Sequence, residues 1–403
     1  MWKPREAATM DEYYRTDPVV RRLFRVSALV WGLGLGIESV ARIPLVYALP
    51  VEVMVGVSAA LLIATNAGLA VWNVGYGIRQ AAARRRMPPS TRPRPPRVNL
   101  PAVAAPIDFP SRIGVWWSSD SWSMPDAAQA ARDIEAMGYG SLFYGEAYGK
   151  ETLTQAGAFL AATDRLVVGT GIANIHARDP IAAESGGRTL TALHPGRFVL
   201  GLGVSHGPLV ERGRGGTYQK PLATMRDYLE RMAAVPEQIE PGVGRPARLV
   251  AALGPKMIEL AGAETDGVHP YLVTPGQTRV TRDALGPDKW VVSEQAVAVG
   301  DDPDDALQRA HDHLEIYSGL PNYRNSWLRQ GFEESDLVRG GSDRLAKALV
   351  GMGDLDTIAA SVTAHLDAGA DHVLVQALGR RDAGGPMADP RPALRDLASA
   401  LGM

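Results

Sequence analysis

The sequence predicts a (β/α)₈ barrel that follows a hairpin of two membrane-spanning helices. From residue 112 onward, short runs rich in β-branched and aromatic residues alternate with amphipathic stretches, and eight such runs in alternation over about 270 residues are typical of the barrel. Val53 to Ile78 is a run of 26 residues without a charge, and a helix crosses a bilayer with about 20 apolar residues. Residues 87–111 are crowded with proline and arginine, which indicates a semi-rigid linker between the two parts.

The composition excludes several classes of protein. The chain is 46% hydrophobic and 21% charged, which is typical of folded domains. Residues 1–100 carry 14 Lys and Arg against 6 Asp and Glu, whereas the other residues carry 28 against 38. The acidic body argues against a nucleic-acid partner, which needs a basic surface. Because the chain has no cysteine, disulfides, thiolate metal sites, iron–sulfur clusters and a cysteine nucleophile are excluded.

The first 86 residues predict a membrane-associated hairpin with spans at about 24–48 and 53–78. Glu38 and Arg42 interrupt the first span at a spacing that lets them pair on one helix face, and Pro44 and Pro50 mark the bend. Arginines flank both ends of the hairpin, so both ends are expected in the cytoplasm, with the barrel anchored at the inner face of the plasma membrane. The alternative is a soluble helical hairpin packed on the rest of the chain.

The stretch RRLFRVSALVWGLGLGIESVARIPLVYALP and its continuation, within residues 17–80, resembles the last two helices of small bacterial inner-membrane proteins related to intracellular septation protein A. The resemblance implies a membrane anchor, the remnant of one, or a fusion of two neighbouring reading frames.

Residues 112–403 form the predicted barrel. The predicted strands are Arg112–Trp117, Ser141–Tyr144, Leu166–Ile172, Phe198–Leu202, Leu249–Leu253, Val268–Val273, Trp290–Val299 and His372–Gln376. The predicted helices between them are Asp126–Met137, Thr152–Ala162, Pro180–Leu193, Leu222–Ala234, Lys256–Ala263, Asp304–Ile316 and Leu355–Asp367. A doubly wound sheet is the alternative, but Ser118, Ser119 and Asp120 stand where its glycine-rich first turn would be. Residues 317–350 form an insertion before the last strand, which we expect to shape a pocket or form a lid.

The chemistry of such a barrel lies at the carboxyl ends of its strands. Asp120, Glu146 and His206 stand there and are the candidates for proton transfer, although each can also be a solvated loop residue or a helix cap. Glu294 lies within a strand and is expected to face outward. His311-Asp312-His313 is expected on a solvated helix surface, because residues two apart share no helix face. No metal site is predicted.

Two glycine-containing strand ends indicate a ligand. Ala252-Leu253-Gly254-Pro255-Lys256 runs from a strand into a helix, where free backbone N–H groups and a lysine would hold an anion. An ordinary strand-to-helix turn is the alternative. Gly201-Leu202-Gly203 suggests the close approach of a flat or bulky ligand, although glycine also suits a simple bend.

Six segments, in this order, carry a specific likeness: RIGVWWSSDSW, LFYGEAYGKE, VVGTGIANIHARDP, GRFVLGLGVSHGPLVE, VAALGPKMIELAGAETDG and LPNYRNSWLRQGF. Over residues 108–380 they resemble the luciferase-like monooxygenase family, in particular its actinobacterial F420-dependent oxidoreductases. The resemblance implies the luciferase-like (β/α)₈ barrel with an insertion before the last strand. It also implies the deazaflavin F420 as cofactor, or FMN as in sister branches.

The resemblance also implies roles for individual residues. The phosphate of the cofactor would lie at Ala252, Leu253, Gly254, Pro255 and Lys256. A bulge containing Gly171, Ile172 and Asn174, with a non-proline cis bond between the first two, would support the ring from behind. Gly203, Val204, Ser205 and His206 would line the cofactor and the substrate face.

The sequence departs from the sugar-phosphate dehydrogenases of this family. Ala147 follows Glu146 where those enzymes carry a histidine, and His206 stands where they carry a glutamate. Glucose-6-phosphate oxidation is therefore not expected, and His206 or Glu146 is the expected proton-handling group. Trp116, Trp117 and Tyr144 suggest a hydrophobic small organic substrate.

The lead hypothesis is a membrane-tethered F420-dependent oxidoreductase that transfers a hydride. An FMN-dependent monooxygenase and a non-catalytic, membrane-anchored ligand-binding barrel remain alternatives, and a metal-dependent hydrolase is disfavoured by the missing ligand set. A homodimer is left open.

Overall fold

The computed structural model describes residues 18–86, 106–235 and 244–403. The chain divides into two compact units, Met1–Leu100 and Pro101–Met403. The predicted linker therefore lies mostly outside the described residues, and each unit is described by itself.

The first unit is a hairpin of helices α1 (Pro18–Ala48) and α2 (Val51–Arg86). Ser27 donates a 2.7 Å hydrogen bond to Asn73 across the pair, and Glu38 is ion-paired with Arg42 as predicted. Pro44 lies inside α1 and not at the bend, so that part of the prediction is wrong. Residues Arg21–Ala48 and Val53–Arg79 are long and apolar enough to cross a membrane, and most of their large apolar side chains are exposed.

The second unit is a closed barrel of parallel strands, which confirms the predicted fold. Its eight barrel strands are β1 (Ile113–Trp116), β2 (Ser141–Tyr144), β3 (Val167–Thr170), β5 (Phe198–Gly203), β6 (Ala247–Val250), β7 (Gly267–Val268), β8 (Trp290–Val297) and β10 (His372–Ala377). The sheet closes because β10 pairs with both β1 and β8. Two short strands lie beside this ring: β4 (Ala173–Asn174) pairs with β5, and β9 (Val350–Gly351) pairs with β8.

All seven predicted helices are present, and the structure adds four that were not predicted, at Pro275–Leu285, Pro321–Arg329, Asp343–Leu349 and Arg391–Ala400. In chain order the helices are α3 (Met124–Ala136), α4 (Thr152–Ala162), α5 (Pro180–Leu193), α6 (Pro221–Ala233), α7 (Pro255–Glu264), α8 (Pro275–Leu285), α9 (Pro303–Tyr317), α10 (Pro321–Arg329), α11 (Asp343–Leu349), α12 (Leu355–Asp367) and α13 (Arg391–Ala400). A short π-helix at Leu209–Gly213 follows β5. The predicted insertion contributes α10, α11 and the start of β9.

Two predicted strands run three residues or more beyond the end of the observed strand. The fifth was placed at Leu249–Leu253, but β6 ends at Val250, so the residues after it belong to the loop that starts α7. The sixth was placed at Val268–Val273, but β7 ends at Val268. In both cases the apolar run continues past the strand because the side chains of the following loop are buried or half-buried.

Alternate side chains of the strands fill the barrel. Phe143, Val199, Leu249, Val292 and Leu374 pack together in its interior. At the amino-terminal end the Phe109 ring stacks on His372, with centroids 4.1 Å apart, and His372 Nε2 lies 2.6 Å from the Ser141 hydroxyl. Because side chains close the barrel at the amino-terminal ends of its strands, an open site is expected at their carboxyl ends.

Candidate active site at the carboxyl ends of the strands

A bulge after β3 brings the strand-end loops together. The Gly171–Ile172 peptide bond is cis, as the resemblance implied. The Gly171 carbonyl accepts a 2.8 Å hydrogen bond from the Trp116 indole, and the Gly171 N–H donates to the Tyr144 carbonyl at 2.7 Å. A Cβ atom at Gly171 would lie 2.9 Å from Trp116 Nε1 and 3.0 Å from His269 Nε2, so only glycine fits without a shift of these side chains.

Glu146 supports this bulge from behind. Its Oε2 accepts hydrogen bonds from the Asn174 N–H at 2.8 Å and from Arg178 Nη1 at 2.9 Å, and its Oε1 pairs with Arg178 Nη2. Ion pairing to Glu146 and Glu151 outweighs burial and raises the pKa of Arg178. With both oxygens bonded and 4% of its side chain exposed, Glu146 is placed to hold the bulge. Sequence reasoning missed Arg178, although its place directly after the bulge segment was a usable signal.

Asn174 and Gly203, two of the residues predicted to line the cofactor, lie next to each other beside the bulge. Asn174 pairs with Gly203 between β4 and β5. A Cβ atom at Gly203 would lie 2.5 Å from Ile172 Cγ1, so glycine is required for this approach. The Asn174 side-chain nitrogen is buried and has no hydrogen-bond partner among the described residues, which leaves one donor for a ligand.

After β5 the chain continues through Val204, Ser205 and His206. Ser205 has a positive φ of 59°, and its carbonyl accepts a 3.2 Å hydrogen bond from the Tyr218 hydroxyl. The His206 ring lies 5.8 Å from the ring of Tyr323 in α10. Burial lowers the pKa of His206, and its Nδ1 has no partner in the described part of the chain. His206 therefore lies at the strand ends with a ring nitrogen that no described residue pairs, and its role in proton transfer stays a prediction.

Asp120 lies at the rim, after β1. Lys150 donates to the carbonyls of Ser119 and Asp120 at 2.5 and 3.0 Å. A Cβ atom at Gly149 would come within 2.5 Å of the Asp120 carboxyl carbon, so the loop after β2 packs directly on it. Ser123, and not Asp120, caps α3 by accepting from the Asp126 N–H. The helix-cap alternative for Asp120 is therefore wrong.

The loop from Ala252 to Lys256 starts α7 as expected. Gly254 is the N-cap, it provides no capping side chain, and Pro255 begins the helix. Arg329, at the end of α10, donates to the Leu253 carbonyl at 3.1 Å and lies next to Gly254, with its Nη2 3.8 Å from a Cβ built there. The helix terminus therefore carries one cation from the insertion in addition to Lys256, an arrangement that favours an anionic group.

Glu294 and His313 were wrongly predicted. Glu294 is 1% exposed and lies inside the barrel, where its Oε2 accepts a 3.1 Å hydrogen bond from the Leu272 N–H. Strand alternation puts it on the same inner face as Val292, a relation the uniformly apolar run concealed.

His313 faces Tyr271 and Tyr317 and is not on a solvated surface. Among the described residues no group of three or more His, Asp and Glu side chains could hold a metal ion.

These buried groups predict how stability depends on pH. Burial raises the pKa of Glu294 to about 8, and it lowers the pKa of His269, His313 and His365 to about 4 and of His372 to about 3. Between pH 4.5 and 8 Glu294 is protonated in the folded protein but ionised in the unfolded chain. Its contribution to the free energy of unfolding is therefore lost as the pH rises from 4.5 to 8. The histidines are neutral when folded, so their stabilisation is lost as the pH falls below 6.5.

We therefore expect the free energy of unfolding to be highest near pH 6.5 and to fall on both sides, as measured by urea denaturation at a series of pH values. In Glu294→Gln the decline between pH 6.5 and 8 should disappear while the acid limb persists. An unchanged decline in that variant would show that Glu294 is ionised in the folded protein.

Comparisons with known proteins agree with this fold. A family model described as luciferase-like monooxygenase matches residues 108–372. A Mycobacterium tuberculosis protein named as a coenzyme F420-dependent oxidoreductase is 28% identical over 194 residues, 41% of this chain, and the match spans 55% of that relative's length. The 5,10-methylenetetrahydromethanopterin reductase of Methanolobus tindarius is 25% identical over 56% of this chain and 73% of the reductase.

Solved structures share the fold at low identity. The coenzyme F420-dependent tetrahydromethanopterin reductase of Methanopyrus kandleri aligns with a TM-score of 0.53 at 17% identity, covering 74% of this chain and 99% of the reductase. The EDTA monooxygenase of Chelativorans sp. BNC1 aligns with a TM-score of 0.57 at 12% identity, covering 72% of this chain and 93% of the monooxygenase. Since the family model covers well over half of the chain, this protein belongs to the luciferase-like monooxygenase family and is an oxidoreductase.

Proposed function

We propose that the protein is an F420-dependent oxidoreductase that transfers a hydride between the deazaflavin and a hydrophobic small organic substrate. The observation that carries the proposal is the glycine-containing bulge after β3, which hydrogen bonds from Trp116 and to Glu146 hold at the carboxyl ends of the strands. The names of two relatives, an F420-dependent oxidoreductase and a methylenetetrahydromethanopterin reductase, support the F420 branch.

The residues at this end of the barrel fit such a cofactor. Gly171 and Gly203 leave the bulge without side chains that would occupy its faces, and the buried Asn174 amide nitrogen and His206 Nδ1 lack partners within the described residues. The N-terminus of α7 with Lys256 and Arg329 suits the phosphate. When bound, the deazaflavin supplies hydride chemistry at its ring.

The chain's own part is positioning and proton handling. Glu146 and Arg178 hold the bulge, and the helix terminus at Gly254 fixes the far end of the cofactor, so that the reacting atoms are aligned. Asp120 and His206 both lie near the opening, and His206 Nδ1 has no hydrogen-bond partner among the described residues, so His206 is the group available to accept a proton. Glu146 is less suited to that role, since both of its oxygens are bonded.

An FMN-dependent monooxygenase is the second candidate, because the family model that matches this chain is one of monooxygenases. A binding titration of the detergent-solubilised full chain with F420 and with FMN, followed by fluorescence, separates the two. We expect F420 to bind at least 10-fold more tightly. A preference for FMN would move the protein to the monooxygenases, and binding of neither would favour a non-catalytic barrel.

We propose further that α1 and α2 anchor the barrel to the inner face of the plasma membrane. The length of the two helices, their exposed apolar side chains and the flanking arginines support this proposal. Removal of residues 1–105 should release the protein from the membrane fraction and leave a folded fragment, 106–403, that binds the cofactor as the full chain does.

This experiment can fail in two distinguishable ways. A fragment that is folded but still sediments with membranes would show that the hairpin is not the anchor. A fragment that aggregates would show that the barrel needs the hairpin for its own stability, as in the soluble alternative.

A further inference from the structure

A cleft of about 470 Å³, which we call the loop cleft, lies between the loop that follows β2 and the loop that follows β5. Its charged side chains are Glu146, Lys150, Glu151, Arg178 and Arg214. Glu146 and Arg178 hold the bulge, but among the described residues that line the cleft none was assigned to contact the cofactor. The loop cleft is therefore a separate space beside the bulge, with a volume typical of small-molecule pockets.

Both carboxylates of the loop cleft are paired within the protein. Glu151 is the N-cap of α4: its Oε2 accepts from the Thr154 N–H at 2.7 Å, and its Oε1 accepts from Arg178 Nη2 at 2.8 Å. Glu146 binds the same guanidinium with both of its oxygens. Arg178 is thus occupied by two carboxylates, and these three side chains together carry one negative charge.

Lys150 and Arg214 bring two further positive charges to the loop cleft. Lys150 Nζ donates to the carbonyls of Ser119 and Asp120 at 2.5 and 3.0 Å. Arg214 Nη2 donates to the Ala147 carbonyl at 2.7 Å. No carboxylate in the described ranges, that of Asp120 included, forms an ion pair with either cation. The lining of the loop cleft therefore sums to one positive charge, from three cations against two carboxylates.

The backbone adds hydrogen-bond donors beside these two cations. The N–H groups of residues 147–150 donate to no acceptor among the described residues. Successive backbone N–H groups next to cationic side chains form anion sites in many proteins. Small residues keep the cleft open near these donors: Ala147, Gly149, Ala177 and Ala182. The uncompensated charge and the free donors together favour an anion over a cation or a neutral molecule.

We infer that the loop cleft binds the carboxylate or phosphate group of a small organic anion. Lys150 and Arg214 balance its charge, and the N–H groups of residues 147–150 donate to its oxygens. The cleft is larger than one such group, so it also has room for an organic part. Because Lys150 and Arg214 come from different loops, the bound anion joins the loops that follow β2 and β5. The inference goes beyond the proposed function and does not depend on the identity of the cofactor.

The test uses three probes: succinate, inorganic phosphate and putrescine, which has the length of succinate and the opposite charge. Their binding to the full chain in phosphatidylcholine nanodiscs is measured by isothermal titration calorimetry at pH 7 and low salt, with empty nanodiscs as the blank. We expect at least one of the two anions to bind with a Kd below about 1 mM, and putrescine at least 10-fold more weakly. The tighter of the two anions identifies the group. Putrescine binding as tight as that of the anions, or no binding of either anion, would overturn the inference.

Arg214→Gln localises the binding. We expect the variant to bind the anion at least 10-fold more weakly, because it removes a cation that no described carboxylate balances. Arg214 is exposed, so the fold should tolerate the change. Arg132→Gln is the matched control, since Arg132 is an exposed arginine of α3 whose guanidinium bonds the Gln129 side chain. Parental affinity in Arg214→Gln, with thermal unfolding as in the parent, would show that the anion binds elsewhere.

An anion can also bind at the N-terminus of α7, the place proposed for the phosphate of the cofactor. Gly254→Trp puts a side chain at that terminus, and we expect this variant to bind succinate and phosphate as the parent does. Hydrogen exchange locates the anion without any substitution, since the amides of residues 147–150 should exchange more slowly when it is bound. Loss of anion binding in Gly254→Trp, or unchanged exchange of these amides in the presence of a bound anion, would overturn the inference.

The titration with F420 and FMN on the same preparation separates this inference from the proposed function. A protein that binds the anion in the loop cleft but neither cofactor would retain the inference and reject the proposed function. A protein that binds F420 but neither anion would retain the proposed function and reject the inference.

Discussion

Replacing Gly254 with tryptophan is expected to lower the affinity for F420 by about 100-fold or more without unfolding the barrel, because the new side chain would occupy the helix terminus where the phosphate binds. The Gly254 backbone has a φ of −109°, which any residue adopts, and a Cβ atom there meets only Arg329 Nη2 at 3.8 Å. We therefore expect the substitution to leave the fold intact and to affect only the binding of the ligand. Fluorescence titration with F420 measures the effect.

The matched control is Gly276→Trp. Gly276 also lies in the first turn of a helix, α8, and it is exposed, with the Thr274 hydroxyl 3.6 Å from a built Cβ. We expect this variant to bind F420 like the parent protein. Parental affinity in Gly254→Trp would mean that the phosphate lies elsewhere, even if F420 remains the cofactor.

Replacing Glu184 with alanine is expected to destabilise the barrel by about 3–5 kcal/mol. Glu184 in α5 is fully buried and pairs with Arg248 of β6 and, at 2.8 Å, with Arg188. Arg248 is itself only 1% exposed, so the variant leaves a guanidinium inside the protein without its carboxylate. Chemical denaturation of the fragment 106–403 measures the loss.

Asp227→Ala provides the comparison for that result. Asp227 and Arg231 form an exposed pair 4.0 Å apart on α6, and pairs of this kind contribute at most about 1 kcal/mol. We expect a change below that value. A loss in Glu184→Ala that is as small as the loss in Asp227→Ala would show that water reaches Arg248 in the variant.

Much of the fold could be predicted from local pattern. The alternation of apolar runs with amphipathic stretches located all eight barrel strands, because a strand buried on both faces needs a continuous apolar run. The likeness of the VVGTGIANIHARDP segment to one family located the cis bond at Gly171–Ile172. Gly-Pro at residues 254 and 255 located the start of α7, since proline fits the first turn of a helix.

Other features depended on contacts between distant segments. Pattern could not tell which way Glu294 faces, because its neighbours on both sides are equally buried. His313 was assigned to a solvated surface since the packing of α9 against Tyr271 is not visible in α9 alone. Arg178 was overlooked because its partner Glu146 lies 32 residues earlier.

The sequence by itself therefore determined the strand and helix order, the boundary between the two units and the loops that form the candidate site. Only the tertiary structure decided that Glu146 serves the bulge, that Glu294 lies inside the barrel and that the insertion brings Tyr317, Tyr323 and Arg329 to the strand ends. The physical reason is that secondary structure follows from neighbours in the chain. The protonation and pairing of a side chain follow from neighbours in space, which closure of the barrel alone brings together.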